Sequence, residues 1–174
     1  LESRLMPVAR KWSLNGLDDL STAVRTRKDE ALLRDITEAM TTNESSFFRD
    51  QKPFDIFKQL VLPRLMEVRG AKRSLRIWSA ACSSGQEAYS LAMLLAEDAP
   101  KLAGWRFEIV GTDISAEMVE RAKNGVYTQF EVQRGLPIQM LVKHFKQTGD
   151  KWQISPQLRQ MATFKEWNLL GDLN

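Results

Sequence analysis

Leu75-Arg76-Ile77-Trp78-Ser79-Ala80-Ala81-Cys82-Ser83-Ser84-Gly85-Gln86-Glu87-Ala88-Tyr89-Ser90 runs from apolar residues through a stretch of small ones into a helix-forming segment. A second apolar stretch, Phe107 to Val110, leads through Gly111-Thr112 to Asp113, a carboxylate 28 residues past Gly85. Strand, small-residue loop, helix, strand and terminal acid make the first half of a nucleotide-type pocket. The loop and the helix N-terminus receive the polar end of a ligand, and the acid receives ribose hydroxyls. The loop has one glycine rather than the three of G-x-G-x-x-G, which argues against an ordinary dinucleotide site.

The period of the sequence changes on either side of this stretch. Strand 75–80, helix 85–97, strand 107–112 and helix 115–124 form a βαβα pattern, which predicts an α/β unit with a parallel sheet. Before it, Leu5, Val8, Ala9 and Trp12 share one helical face. Asn15-Gly16 ends that helix, Asp18 or Asp19 starts a second, and 29–40 reads as a third with Leu32, Leu33, Ile36 and Met40 inward. Thr41 to Pro53 is a polar connection, and 54–70 a helix that Pro63 kinks or divides. Further on, a helix starts at Gly135-Leu136-Pro137, residues 145–154 read as a hairpin, and 161–168 as a third sheet strand. The division is a helical unit at 1–40, a connecting segment and helix at 41–73, and the first half of a ligand-binding α/β domain at 74–174. A doubly wound sheet normally has strand 75–80 at its centre. Here that strand keeps an open edge, so the domain is expected to continue past Asn174.

Bulk composition sets limits. The chain has 174 residues with 43% hydrophobic content, enough for a packed core. No apolar run approaches the roughly 18 residues of a membrane span, so no membrane insertion is expected. One cysteine cannot form an internal disulfide, which fits a reducing cytoplasm. A net charge of +3 gives no argument for nucleic acid. Basic residues do gather near the start, at Arg4, Arg10, Lys11, Arg25, Arg27, Lys28 and Arg34; they read as a solvated helix face or as a docking face for an acidic partner.

Each candidate pocket residue has a plain structural alternative. Gly85 lets a backbone approach a ligand, or serves as a turn glycine. Asp113 accepts ribose hydroxyls, or caps the following helix together with Ser115. Glu87 pairs with a cationic ligand group, or complements the helix dipole. Asn43, Ser45 and Arg49 form a capped turn, or place Arg49 at a cleft facing an anion. Cys82 reads as a loop wall residue, because nothing nearby lowers its pKa. With His144 the only histidine, a Cys/His or Ser/His pair has little support. No cluster has metal-ligand spacing, and the five tryptophans read as core or near-core packing.

Four segments together resemble the CheR family of chemoreceptor-glutamate methyltransferases: Met40-Thr41-Thr42-Asn43-Glu44-Ser45-Ser46-Phe47-Phe48-Arg49, the 78–90 stretch, Thr112-Asp113-Ile114-Ser115, and Ala122-Lys123-Asn124-Gly125-Val126-Tyr127. The likeness extends from about Arg4 through Asn168-Leu169. It implies a small helical N-terminal domain followed by a Rossmann-like class I methyltransferase domain, incomplete at its C-terminus. It implies S-adenosylmethionine as cofactor and S-adenosylhomocysteine as product. By motif position Asn43, Ser45, Arg49, Glu87, Asp113, Asn168 and Leu169 line the cofactor site, with Arg49 nearest the methyl-transfer chemistry. The chain departs from the family at Ser45, where threonine is usual, and at Gln86 and Ala88, which replace the Glu and Pro of Gly-Glu-Glu-Pro-Tyr-Ser. The family's later Cys-Arg-Asn-Val-x-Ile-Tyr-Phe strand does not occur in these residues.

The implied reaction is an in-line attack of a glutamate carboxylate on the sulfonium methyl, forming a methyl ester. The nucleophile is already ionised at pH 7, so no general base is required. The implied partner is the cytoplasmic domain of methyl-accepting chemoreceptors, with basic helix 4–14 as a docking element, and the expected state is a monomer. The competing expectation is a catalytically inactive cofactor- or receptor-binding protein with the same fold.

Overall fold

The computed structural model describes residues 1–172. Three helices come first: α1 (Glu2–Lys11), α2 (Leu17–Arg27) and α3 (Glu30–Met40). Val8, Ala9, Leu20, Ala23 and Leu32 form their own small core. Asp29 caps α3 by accepting from the Ala31 and Leu32 amides, as an N-terminal carboxylate should. α1 ends at Lys11 rather than 14. Helix α2 starts at Leu17 behind Gly16, with no side-chain cap, so Asp18 and Asp19 lie in its first turn instead. Leu32 is buried as expected, but Leu33 and Met40 are 41% and 38% exposed. The inward stripe of α3 is therefore narrower than its apolar residues suggest.

After the irregular 41–51 segment come α4 (Lys52–Ile56), a π-helical turn (Phe57–Val61) and α5 (Leu62–Arg69). Pro63 sits in the first turn of α5, where its missing N–H costs least. The helix is divided by a π-turn, one of the usual ways to absorb such an interruption.

The α/β part begins with β1 (Ser74–Ala80), α6 (Gln86–Glu97), β2 (Arg106–Asp113) and α7 (Ala116–Asn124). It continues through β3 (Val126–Thr128), α8 (Gln129–Gln133), α9 (Ile138–His144), β4 (Phe145–Thr148), β5 (Lys151–Ile154), α10 (Pro156–Met161) and β6 (Ala162–Glu166). One sheet has the order β1-β2-β6, with both pairings parallel. The β1–β2 register runs from Ser74 opposite Arg106 to Ala80 opposite Thr112, so both strands deliver their C-terminal loops to the same edge. β1 is the outer strand, which matches its expected open edge. Trp78 on it is 48% exposed rather than core, with its indole N–H donating to Thr112.

The other face of this sheet carries α6, whose residues Ala88, Tyr89, Ala92, Met93 and Leu95 are all buried. Packing there is close: a methyl group added at Gly111 would lie 2.6 Å from the Phe164 ring and 3.0 Å from the Cys82 sulfur. A second, antiparallel sheet, β3-β5-β4, contains the expected hairpin plus a short third strand. Phe47 is fully buried and meets Tyr127 and Phe145 of that sheet edge-on, with centroids 5.0 and 5.5 Å apart. The irregular 41–51 segment is pinned there to the α/β body.

Candidate functional site

The loops at the C-terminal edge of β1, β2 and β6, with the 41–49 segment laid across them, enclose a cavity of about 320 Å³. This is near the lower end of the roughly 300–1,000 Å³ of small-molecule sites. Asn43, Ser45, Arg49, Glu87, Asp113, Asn168 and Leu169 all border it. Seven of the eight residues singled out in the sequence therefore meet in one place, although they come from four separate segments. Gly85 is the exception. It is not in the cavity wall. It turns the chain into α6 at φ +90°, and a methyl there would lie 3.0–3.2 Å from Ala122, Phe164 and Tyr89. It makes a tight turn that only a residue without a side chain fits closely.

Asp113 is the centre of the local hydrogen bonding. It is buried, and its two oxygens accept the amides of Ser83 at 2.6 Å and Ser115 at 3.0 Å. Each carboxylate oxygen keeps a further lone pair for a ligand hydroxyl. The helix cap itself is Ser115, whose hydroxyl accepts from the Met118 amide. The acid ties the helix start through the Ser115 backbone amide rather than as the cap, and it borders the cavity. The Ser83 hydroxyl donates to the Asn43 carbonyl at 3.1 Å, joining the 41–49 segment to the loop after β1. Ala81 and Ser83 both adopt left-handed backbone, at φ 56° and 48°. Strain of this kind persists where surroundings fix it, and it clusters at binding sites.

Glu87 lies in the first turn of α6, is exposed, and accepts the Ser79 hydroxyl at 2.7 Å through one oxygen. Arg49 is exposed and donates to the Glu44 carbonyl at 2.9 Å. Arg49, Phe54 and Glu87 also border an adjoining hollow of about 230 Å³. The Glu44 carboxyl is held below its ordinary 4.5 by its hydrogen bond from Arg134, then by the charges of Arg134 and Arg49. Cys82 borders the cavity, but burial first and then the charge of Asp113 push its thiol up to about 12. It is a wall residue and not a thiolate nucleophile. His144 lies elsewhere, at the end of α9, with Nε2 2.6 Å from Glu97.

The cavity also includes residues that sequence reasoning passed over. Thr41, Thr42, Phe54, Ile114 and Trp167 line it. Trp167 is the most informative, because its indole N–H is buried with no partner among the described residues. The only sequence signal for it is adjacency to Asn168; a lone tryptophan otherwise reads as packing.

A parallel sheet with a strand-end acid and a small-residue loop around one cavity defines a Rossmann-like nucleotide-type binding domain. The CheR methyltransferase SAM-binding domain model matches residues 43–174, and this chain belongs to that family. The cofactor of the matched domain is S-adenosylmethionine. The donor set fits it: carboxylates for hydroxyls and an amine, a guanidinium for a carboxylate, and apolar Ile114, Trp167 and Leu169 for a flat base. The chain is 39% identical over 174 residues to the Chemotaxis protein methyltransferase 1 of Pseudomonas aeruginosa, covering 98% of this chain and 63% of that protein. It is 38% identical over 173 residues to the Chemotaxis protein methyltransferase of Vibrio anguillarum, covering 98% of this chain and 62% of that one. Likeness to the Listeria monocytogenes Chemotaxis protein methyltransferase is 38% over 147 residues, 84% of this chain and 53% of the relative. The chain thus spans somewhat under two thirds of the length of these relatives.

Proposed function

We propose that this chain forms the cofactor-holding part of an enzyme that methylates glutamate side chains of methyl-accepting chemoreceptors in the cytoplasm. The observation that carries the reading is the convergence of Asn43, Ser45 and Arg49 with Glu87 and Asp113 on one cavity in a chain of this family. When bound, S-adenosylmethionine supplies a methyl group on a cationic sulfur. The chain's part is to bind, orient and exclude water. Asp113 takes the ribose hydroxyls on its remaining lone pairs. Glu87 takes the amine, with Ser79 fixing its rotamer. Arg49 orients an anion, either the cofactor's own carboxylate or the acceptor's. The acceptor carboxylate is ionised at neutral pH, so no proton has to be removed. The absence of a role for Cys82, whose thiol sits near 12, and the engagement of His144 with Glu97 accord with that chemistry. Correct positioning is worth up to roughly 7–11 kcal/mol in well-oriented systems.

In this reading the helical unit meets the receptor, as a monomer. Two cations of its first helix are also engaged within the chain. Arg4 is turned onto Met40 and Thr42 of its own chain, and Lys11 pairs with Asp35 at 2.8 Å. Arg10 and Arg34 are exposed and have no ion pair among the described residues, so docking rests on them and on α2. The test is calorimetric titration with S-adenosylhomocysteine, together with transfer of labelled methyl to a receptor fragment and release of that label by base. Saturable binding that weakens in Glu87→Gln, with base-labile label, is the expected result. A folded chain that does not bind would overturn the reading.

A further inference from the structure

We infer that Glu38 is a positioning residue for the cofactor site, and that through it the N-terminal helical unit sets the placement of Asp113. The inference rests on the reading that Asp113 holds the cofactor. Glu38 lies in the last turn of α3 and is partly buried. One of its oxygens accepts the Ser115 hydroxyl at 2.5 Å, and the other lies 3.4 Å from the Glu117 amide. A carboxylate from another helix therefore sits on the first turn of α7, where the helix dipole favours negative charge.

Ser115 is completely buried and has its hydrogen-bonding capacity engaged on both sides. Its hydroxyl donates to Glu38 and accepts from Met118, while its amide donates to Asp113. Asp113 in turn accepts from Ser83, and Ser83 donates to the Asn43 carbonyl. Asn43 is only five residues beyond Glu38 in the chain. The circuit Glu38, Ser115, Asp113, Ser83, Asn43 thus closes on itself and borders the cavity with Asp113, Ser83 and Asn43. Arg4 fastens the remaining arc, donating to the Met40 carbonyl at 2.8 Å, the Thr41 carbonyl at 3.3 Å and the Thr42 hydroxyl at 3.3 Å.

Removing Glu38 leaves a buried hydroxyl proton without its acceptor, at the residue whose amide holds one Asp113 oxygen. An unsatisfied buried donor is costly enough for the first turn of α7 to shift in search of another partner. The strap and the acid then lose their common reference. Glu38 touches no ligand in this scheme, and its effect is on cofactor affinity.

The experiment measures the Kd of S-adenosylhomocysteine by calorimetry for the wild-type chain, Glu38→Ala, Glu38→Gln and Trp12→Phe. Melting temperature and circular dichroism are recorded for each. Glu38→Ala is expected to weaken binding roughly tenfold, the effect of losing one charge-assisted hydrogen bond. Glu38→Gln keeps an acceptor for Ser115 and should stay within about threefold of wild type. Trp12→Phe removes the 2.7 Å bond to Asp35 inside the same helical unit, so it should lower the melting temperature and leave Kd unchanged. Glu38→Asp, which keeps the charge and shortens the reach, repeats the test if the alanine variant unfolds. Wild-type affinity in a folded Glu38→Ala overturns the inference, as does an equal loss in Trp12→Phe or in Glu38→Gln. A folded wild-type chain that binds nothing overturns the cofactor reading and the inference together.

Discussion

Asp113→Asn separates the structural part of this acid from its ligand part. The carboxylate accepts two buried amides, from Ser83 and from Ser115, at the meeting of the β1 loop and the start of α7. Hydrogen bonds to a charged group contribute about 1.5–3 kcal/mol each. Asparagine offers one carbonyl oxygen and turns an NH₂ toward the other amide, so one bond is lost and two donors face each other. The expected cost is about 2–3 kcal/mol, the loss of one such bond plus an unpaired amide. For a chain of this length each kcal/mol lowers the melting temperature by roughly 2–4 °C, so the midpoint should fall by about 4–12 °C. Affinity for S-adenosylhomocysteine should fall by about tenfold or more in addition, because the lone pairs facing the cavity are also replaced. Thermal melting by circular dichroism and calorimetric titration below the midpoint measure the two effects separately. A variant melting within about 2 °C of wild type would refute the claim that Asp113 staples the loop to the helix. Unchanged affinity would refute its place in the ligand site.

Gly111→Ala places a methyl 2.6 Å from Phe164 and 3.0 Å from Cys82 in the central strand, so it should destabilise by about 1–3 kcal/mol through overpacking; a wild-type denaturation midpoint would show that Phe164 moves freely. Acid should weaken the fold through Glu97 and Asp35. The Glu97 carboxyl is held below its ordinary 4.5 chiefly by the Lys143 hydrogen bond and then by His144, and Asp35 below 3.8 by Lys11 and then Trp12. Because both folded values are depressed, this stability is present above pH 4.5 and is lost as pH falls through the folded values. Denaturant titrations stepped down from pH 6 should show the loss, and Glu97→Gln should flatten it; the same slope in that variant would remove Glu97 as a cause.

Local pattern carried most of the architecture. The change from helical spacing in 1–40 to strand-like runs at 75–80 and 107–112 reports which faces each segment must bury, and burial follows those faces in α1, β1 and β2. The three-residue strand β3 and the short helices α8 and α10 escaped it, since so few residues hold no complete period. Pattern failed again where a second element decides exposure: Leu33, Met40 and Trp78 are apolar yet open, because no neighbour in the described residues covers them.

The sequence by itself determined the family, the cofactor class and seven of the residues around the cavity. Motif residues are chosen by chemistry that travels with short stretches of chain. Tertiary structure alone decided how those stretches meet. It packed the turn at Gly85 so closely that an added Cβ would meet Tyr89 and Phe164. It brought Trp167 into the same cavity wall as Ile114. It set the Arg4 guanidinium on the Met40 carbonyl, and it set Glu38 on Ser115, 77 residues away in the chain. Spacing within a motif cannot register a bond between residues so far apart, because its partner and geometry exist only once the helical unit has packed against the sheet.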